Sequence, residues 1–285
     1  MSPIDPALSI RAVELAVGDL PRSSEFYSSV LGLPLISSDE HTALLGANPK
    51  HPALVLSSIP TATHAPARST GLFHVAWLHP SRASLAETVR RIAGARWRFD
   101  GAADHGVSEA LYLSDPDGLG IEIYVDRPRE QWQRPASGSG VEMFTLPLDV
   151  DDLLAQAEGE PSPEMAPGTS IGHVHLKVAD VPRADAFYRD ALGFQEQAHL
   201  PSAAFVSAGG YHHHVGLNSW ESRGAAPAPD DAPGLRRVEF QLSGADAVDA
   251  LERSVKDALP GTAVSHEQDG SLSVHDPDGQ LLVFT

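Results

Sequence analysis

No cysteine occurs among the 285 residues, which excludes disulfides and thiolate metal sites alike. Any metal must then be held by His, Asp, Glu or water, a donor set that favours Fe(II), Mn, Ni, Zn or Mg. No apolar run approaches the roughly 18 to 20 residues needed to cross a bilayer. The N-terminus lacks a basic stretch followed by an apolar one, so no secretory signal is expected and a cytoplasmic location is the default. Basic residues are few: 20 Lys and Arg stand against 38 Asp and Glu, for a formal net charge of -18. Such a surface repels phosphate and anionic lipid, so neither nucleic acid nor membrane is an expected partner. There is no Gly-rich phosphate loop and no Ser-His-Asp elbow; Gly209-Gly210 reads as a strand kink rather than a phosphate cradle.

Histidine, by contrast, is abundant, with 14 residues, and its placement follows an internal repeat. The segment IRAVELAVGDLPRSSEFYSSVLGL from Ile10 matches IGHVHLKVADVPRADAFYRDALGF from Ile171. Val13 aligns with Val174, Asp19 with Asp180, Phe26-Tyr27 with Phe187-Tyr188 and Gly32 with Gly193, always 161 residues apart. A DPDG tetrapeptide at Asp115 recurs at Asp276 with the same offset. Self-similarity of this kind marks two homologous halves.

Each half divides again. In the third unit Gly172, Val174, Leu176 and Val178 alternate with His173, His175 and Lys177, the period-2 pattern of a strand. Asp180 is placed to cap a helix whose first turn holds Pro182, whose apolar stripe is Ala184, Phe187, Tyr188 and Ala191, and which ends at Gly193. The strands AAFVSAG and HHHVGLN are predicted next. The second unit opens on GLFHVAWL, continues with a helix over 81–93, and closes with EALYLS and GIEIYV joined by DPDG, a tight-turn signal. The fourth unit copies it, with Val248, Leu251 and Val255 along its helix. The expected fold is therefore α+β: four βαβββ modules that pair into cupped half-barrel sheets. The expected domains are 1–128 and 169–285, with a linker over 129–168 that carries a short helix near 149–157. The stretches 59–70 and 221–234 read as loops.

In a βαβββ module one sheet face lies under the helix, and the other curls into a cup when two modules pair. First- and last-strand positions are where ligands would point into it. The first-strand positions are Ala12, His74, His173 and Arg237; the last-strand positions of modules two and four are Glu122 and Val283. In the run Tyr211-His212-His213-His214, alternation with Val215 and Leu217 under the helix turns His214 toward the cup. The expected metal ligands are thus His74, Glu122, His173 and His214, all in modules two and three. Pairing of two with three and one with four gives one complete site; pairing within each half splits it. His175 shares a face with His173 and is a candidate for substrate contact or catalysis. His105, just before a strand, is a candidate acid-base group. Tyr124 and Tyr211 reach the rim or pack. His41, His51, His64, His79, His199, His266 and His275 are background.

The repeated start, with its D-[LV]-P-R and FY elements, and the end DPDG followed by IEIY resemble the glyoxalase, bleomycin resistance and extradiol dioxygenase superfamily, also called vicinal oxygen chelate proteins. Within it, GLFHVAW, ADHGVSEALYLSDPDGLGIEIYVDRPREQW, IGHVHLKVADV and SAGGYHHHVGLNSW look like bacterial catechol 2,3-dioxygenase-like proteins of the CatE type. The resemblance implies Fe(II)-dependent cleavage of a catechol beside its diol, with insertion of both oxygen atoms. In that family the metal triad comes from the first strands of modules three and four and the last strand of module four. His173 matches the first position, while Arg237 and Val283 stand at the other two, and His74 and Glu122 hold the corresponding places in module two. In glyoxalase-type members four ligands come from two paired modules, a layout closer to His74, Glu122, His173 and His214. Three functions follow: an Fe(II) extradiol-type dioxygenase acting on a catechol-like molecule, a glyoxalase-like isomerase or lyase using Mn, Ni or Zn as a Lewis acid, or a non-catalytic binding protein. Whether the chain forms a homo-oligomer is left open by the residues.

Overall fold

A computed structural model describes residues 3–48, 50–59, 63, 66, 68–136, 138–260, 264–267 and 269–285. His64 and much of the expected 59–70 loop lie outside the described residues. Module one is β1 (Ser9–Val17), α1 (Leu20–Glu25), β2 (Leu35–Ser38), β3 (Thr42–Leu45) and β4 (Leu54–Ser58). Module two is β5 (Gly71–Leu78), α2 (Arg82–Gly94), β6 (Phe99–Asp104), β7 (Ser108–Ser114) and β8 (Gly120–Asp126). A short helix α3 (Val150–Leu154) follows in the connecting segment. Module three is β9 (Ser170–Lys177), α4 (Val181–Ala186), β10 (Gln195–Leu200), β11 (Ala203–Ser207) and β12 (Val215–Asn218). Module four is β13 (Gly234–Gln241), α5 (Ala245–Ala258), β14 (Ser265–His266), β15 (Leu272–His275) and β16 (Leu281–Phe284). No helix among the described residues is long and apolar enough to cross a membrane.

The helices begin where the capping chemistry requires. The Asp19 and Asp180 side chains accept from the backbone N–H of Arg22 and Arg183, and a proline fills the first turn of each helix. Helices α1 and α4 each run on into a π-helical turn, Phe26–Val30 and Phe187–Ala191. That turn carries the FY pair, and each tyrosine reaches a DPDG aspartate: Tyr27 donates to Asp115 at 3.1 Å and Tyr188 to Asp276 at 3.2 Å. Burial raises both carboxyls to about 6. The next aspartate, Asp117, accepts from Gly18 N, Ser23 and Arg22. Each DPDG turn thus fastens one module to the helix of the module before it in the chain.

Across the sheet the partners change. Strand β5 pairs antiparallel with β9, and β1 antiparallel with β13. Within each module the first strand also pairs parallel with the last: β1 with β4, β5 with β8, β9 with β12 and β13 with β16. Two eight-stranded sheets result, one from modules two and three, the other from modules four and one. The described sheet joins them through the single β1–β9 partnership Ile10↔Ile171. Leu72, Val75 and Trp77 of β5, Ile121, Ile123 and Val125 of β8, and Ile171, Val174 and Leu176 of β9 all enter the main apolar core beneath the helices. Removal of this area from water is the main stabilising term, and it fixes the opposite faces as cup walls.

Two bulges adjust the alternation. Register shifts fall between Leu72 and His74 and between Ala76 and Trp77, so that Phe73 in β5 and Gly172 in β9 are extra residues. The first bulge turns Phe73 to the same side as His74, where their rings lie 5.2 Å apart.

His79, one residue beyond β5, is buried, and neither ring nitrogen has a hydrogen-bond partner among the described residues. Burial, with the Arg91 charge, lowers its pKa to about 3. The unfolded chain takes up this proton near 6.5, so the folded state loses stability as pH falls from 6.5 toward 3. His79→Leu should add about 1 kcal/mol at pH 7 by removing unpaired polar atoms, and should flatten that acid slope. Urea unfolding at pH 7 and pH 4.5 checks this; a variant weaker at pH 7 with an unchanged slope refutes it.

Candidate metal centre

Three buried side chains converge in the cup of modules two and three. His74 comes from β5, Glu122 from β8 and His173 from β9, and one ligand atom of each lies within 4.8 Å of the others. His173 Nε2–H donates to Glu122 Oε2 at 3.1 Å. His74 Nε2 lies 2.9 Å from the same oxygen but is not aligned as a hydrogen bond, which leaves it an orphaned buried nitrogen. The two imidazole rings are 5.5 Å apart. The strand register makes this possible: Ala76 pairs with both His173 and Glu122, and His74 sits two residues along the same strand.

The charges suit a cation. Burial by itself would raise the Glu122 carboxyl, but the His173 and His74 imidazoles outweigh it and hold the group well below the usual carboxylate range. Burial lowers His173 to about 4, only partly offset by Glu122. Burial and the neighbouring imidazoles push His175 and His213 well below the usual histidine range. The His173, His175 and His213 imidazoles are therefore neutral at pH 7, the form a metal requires. Two histidines and one carboxylate, with a nitrogen that has no hydrogen-bond partner among the described residues, fit a divalent metal with open positions; among these Fe(II) is a standard occupant, and Mn, Zn and Ni accept the same donors. The residues present thus fit the group that the sequence implies.

His214 does not join them. Alternation along a strand would have turned it into the cup, but β12 begins only at Val215, and residues 211–214 are irregular, so the period-2 argument does not reach them. The His214 Nδ1 instead accepts from the Ala208 N–H at 3.1 Å, and its ring lies 5.0 Å from Tyr211. The histidine that faces the cluster is His213, whose ring is 4.0 Å from that of His173 and 5.0 Å from Phe205. Sequence reasoning passed over it; the signal available was that three consecutive histidines cannot all obey strand alternation unless the strand is regular.

His175 is brought to the cup wall, 5.0 Å from His74, with Phe73, Phe205 and Trp220 around it at 5.1, 5.6 and 5.5 Å. Its Nε2 has no partner among the described residues. Trp220 is half-exposed at the rim, so these rings form an aromatic wall from the surface down to the histidines. His105 is reached through Tyr112, whose ring lies 5.7 Å from His74. The His105 Nδ1 is 2.8 Å from the Phe144 carbonyl, which only accepts, so Nδ1 carries the hydrogen. The bare Nε2 then accepts from the Tyr112 hydroxyl at 2.7 Å. Burial and the Glu122 charge raise the Tyr112 hydroxyl well above its usual value. Tyr124, at 4.9 Å from His173, is a buried wall residue rather than a rim one.

The companion cup, from modules one and four, has no such cluster among its described residues. Arg237, at the position of His74, pairs with Glu239 at 2.6 Å and lies 3.8 Å from Glu14; Arg11 also pairs with Glu239. Val283, at the position of Glu122, is buried. Ion pairs thus occupy the wall where modules two and three present ligands. The crevice between the two DPDG turns, lined by Asp117, Lys177, Arg236 and Asp278, shares no residue with the metal cluster.

Comparison with known proteins agrees with this architecture. The family model of the Glyoxalase/Bleomycin resistance protein/Dioxygenase superfamily matches residues 9–123 and again 170–284. The chain is 42% identical over 288 residues to catechol-2,3-dioxygenase of Bacillus subtilis (strain 168), covering 100% of this chain and 99% of that one. Among solved structures it resembles a putative dioxygenase from Bacillus subtilis subsp. subtilis str. 168, with a TM-score of 0.66 and 13% identity over 99% of this chain and 86% of that one. It also resembles glyoxalase I from Zea mays, with a TM-score of 0.59 and 16% identity over 98% and 92%. With two matched copies and a relative similar along its whole length, the chain belongs to the glyoxalase/bleomycin resistance protein/dioxygenase superfamily.

Proposed function

We propose that this protein is an Fe(II)-dependent extradiol dioxygenase that opens the ring of a catechol-like diol beside its two hydroxyls, consuming one O2 per ring. The observation that carries the reading is the convergence of His74, Glu122 and His173, a two-histidine, one-carboxylate set, in a chain similar throughout to a catechol-2,3-dioxygenase. Three protein donors rather than four also favour it over a glyoxalase-like isomerase, since His214 is engaged elsewhere. A cytoplasmic location belongs to the same reading.

Iron, when bound, supplies the one-electron chemistry by which dioxygen reacts with a singlet diol. The chain's own residues do the rest. The aromatic wall of Phe73, Phe205 and Trp220 orients a planar ring by face and edge contacts. Burial of all three ligand side chains excludes bulk water, which strengthens every charge interaction within the cup. His105 Nε2 is a bare acceptor already hydrogen-bonded by Tyr112. Transfer of the Tyr112 hydroxyl hydrogen to His105 Nε2, as the tyrosyl oxygen takes a hydrogen from the substrate, moves one proton away from the diol toward the surface. His213 and His175 offer further neutral imidazoles on the same wall.

The test is reconstitution with Fe(II) without oxygen, then addition of oxygenated catechols. A yellow ring-opened product with one O2 consumed per diol is expected. Absence of product across a catechol panel from a chain that holds one Fe overturns the proposal, and oxygen-independent turnover of a thiohemiacetal would put the isomerase in its place.

A further inference from the structure

One end of the metal cup is roofed by the segment that connects the two halves. Residues 138–146 cross there from module three to module two. The Val141 N–H donates to the Gln197 carbonyl of β10, and Leu146 exchanges backbone hydrogen bonds with Asp104 at the end of β6. Val141 and Trp132 are buried together with Val107 and Tyr211. The Trp132 ring lies 5.4 Å from that of His212, and Tyr211 shares a 2.7 Å hydrogen bond with Tyr124 of the cup wall. Phe144 covers Gly106 so closely that a Cβ added there would stand 2.5 Å from its ring.

Strand β9 leads away from this roof. His173 faces Tyr124 and His213; two residues further on, His175 faces Phe73, Phe205 and Trp220. Trp220 is the outermost ring at this second end. It is 51% exposed, whereas His74, Glu122, His173 and His175 are all buried. The indole also meets Phe73 edge-on at 5.3 Å, and Phe73 in turn touches His74. Its position is braced on both sides. The indole N–H donates to Ser202 Oγ at 3.1 Å, and the Trp220 backbone N–H donates to Asn218 Oδ1 at 3.2 Å. Before it, the Ser219 N–H donates to the Ser202 carbonyl; after it, the Ser222 hydroxyl donates to the Val178 carbonyl at 2.9 Å. Asn218 and Ser222 are fully buried, so the loop that carries the indole is tied to the core.

From this geometry we infer that Trp220 is a specificity-determining residue that sets the length of the substrate: the cup takes a diol of one aromatic ring and rejects a diol that carries a second ring toward the mouth. The diol oxygens belong at the inner end, beside the metal ligands. Outward from them the wall offers Phe73 and His175, and then the indole. A single ring is accommodated against Phe73 and His175 by edge and face contacts. A second ring would need the place of the indole, which Ser202 and the Asn218 side chain hold. The roofed end gives it no other course, because Trp132, Val141 and Tyr211 are packed there. The companion cup lacks this stack. At the repeat offset of 161 residues Trp220 corresponds to Ile59 and Phe205 to Leu44, so the aromatic mouth is confined to the cup that carries the ligands.

This inference rests on the proposed reading of the cup as a diol site, and binding tests it without ring opening. The experiment is calorimetric titration of the full-length chain, loaded with Zn(II), with catechol and with biphenyl-2,3-diol. The unaltered chain should bind catechol more tightly than the two-ring diol by a factor on the order of ten to a hundred. Trp220→Ala should bring the two affinities to within about threefold, and Trp220→Phe, which keeps an aromatic ring at the mouth, should retain most of the discrimination. With Fe(II) and oxygen the ratio of kcat/KM for the two diols should follow the same order. A general loss of stability would weaken both diols alike and leave that ratio unmoved. Comparable binding of both diols by the unaltered chain overturns the inference, as does an unchanged ratio in Trp220→Ala. Binding of neither diol overturns this inference and the proposed function together. If the binding ratios behave as expected and no catechol is opened, the proposed function fails and the role of Trp220 stands.

Discussion

Glu122→Gln is expected to release the metal. The substitution keeps the size of the side chain and removes the charge on which both histidines converge. Zinc-type sites carry an apparent binding free energy of about 10–16 kcal/mol at pH 7 over about four ligands, so the loss of the single anionic donor should weaken binding on the order of a hundred- to a thousandfold. Metal content, measured after gel filtration, should fall from about one per chain to less than about a tenth, and ring opening should become undetectable. The metal-free fold should tolerate the change well, because an amide oxygen still accepts from His173 Nε2–H. In acid the variant should even lose less stability than the unaltered chain. Glu122 is held well below its usual pKa, so its contribution is present above about 4.5 and lost as pH falls below that value. Full metal occupancy in Glu122→Gln would show that the Glu122 carboxylate does not hold the metal.

Gly172→Ala should cause a large loss of stability. A Cβ at this position would stand 1.7 Å from the Tyr124 hydroxyl oxygen, 2.8 Å from its ring carbon and 3.1 Å from Leu78 Cβ. Tyr124 has nowhere to go: it is fully buried and tied to Tyr211. The bulged residue of β9 must shift instead, and His173 follows it. Overpacking of this kind costs about 1–3 kcal/mol, and the upper end is expected, or roughly 5–10 °C in Tm for a chain of this size. Weaker metal binding should accompany the loss. Tyr124→Phe in the same chain removes the nearer atom and should restore part of the stability. A thermal scan of the two variants decides it; an unchanged Tm for Gly172→Ala would mean that β9 has slack at its bulge.

Much of this arrangement was legible because it depends on period and repetition. The offset of 161 residues and the alternation around Val174 and Leu176 fix both the module order and the side to which His173 points. The partnership of β5 with β9 was readable for a chemical reason: only that pairing collects His74, Glu122 and His173 in one cup. What escaped is where the alternation breaks. A bulge at Phe73 brings an aromatic ring into the wall, and one at Gly172 makes room for Tyr124; neither leaves a mark in a period-2 pattern. The irregular approach to β12 exchanged His214 for His213. Nor does residue type alone reveal that His79 is buried without partners while His199 is exposed, since both stand beside ordinary loop signals.

The single Ile10↔Ile171 partnership between the two eight-stranded sheets, together with modules that pair across the halves rather than within them, gives the molecule the organisation of a fused dimer. Each homologous half contributes one module to each sheet, and the metal ligands straddle what would be the boundary between two subunits. Arg11 and Glu239, joined by a salt bridge, lie 228 residues apart in the chain, so the companion sheet cannot close until the chain has been made through β13. Each sheet must therefore form by the meeting of modules from both halves, a slow route for a topology so rich in distant pairings. The Asp117 and Asp278 clamps, which act within each half, are the contacts able to hold it in shape while it waits for the other.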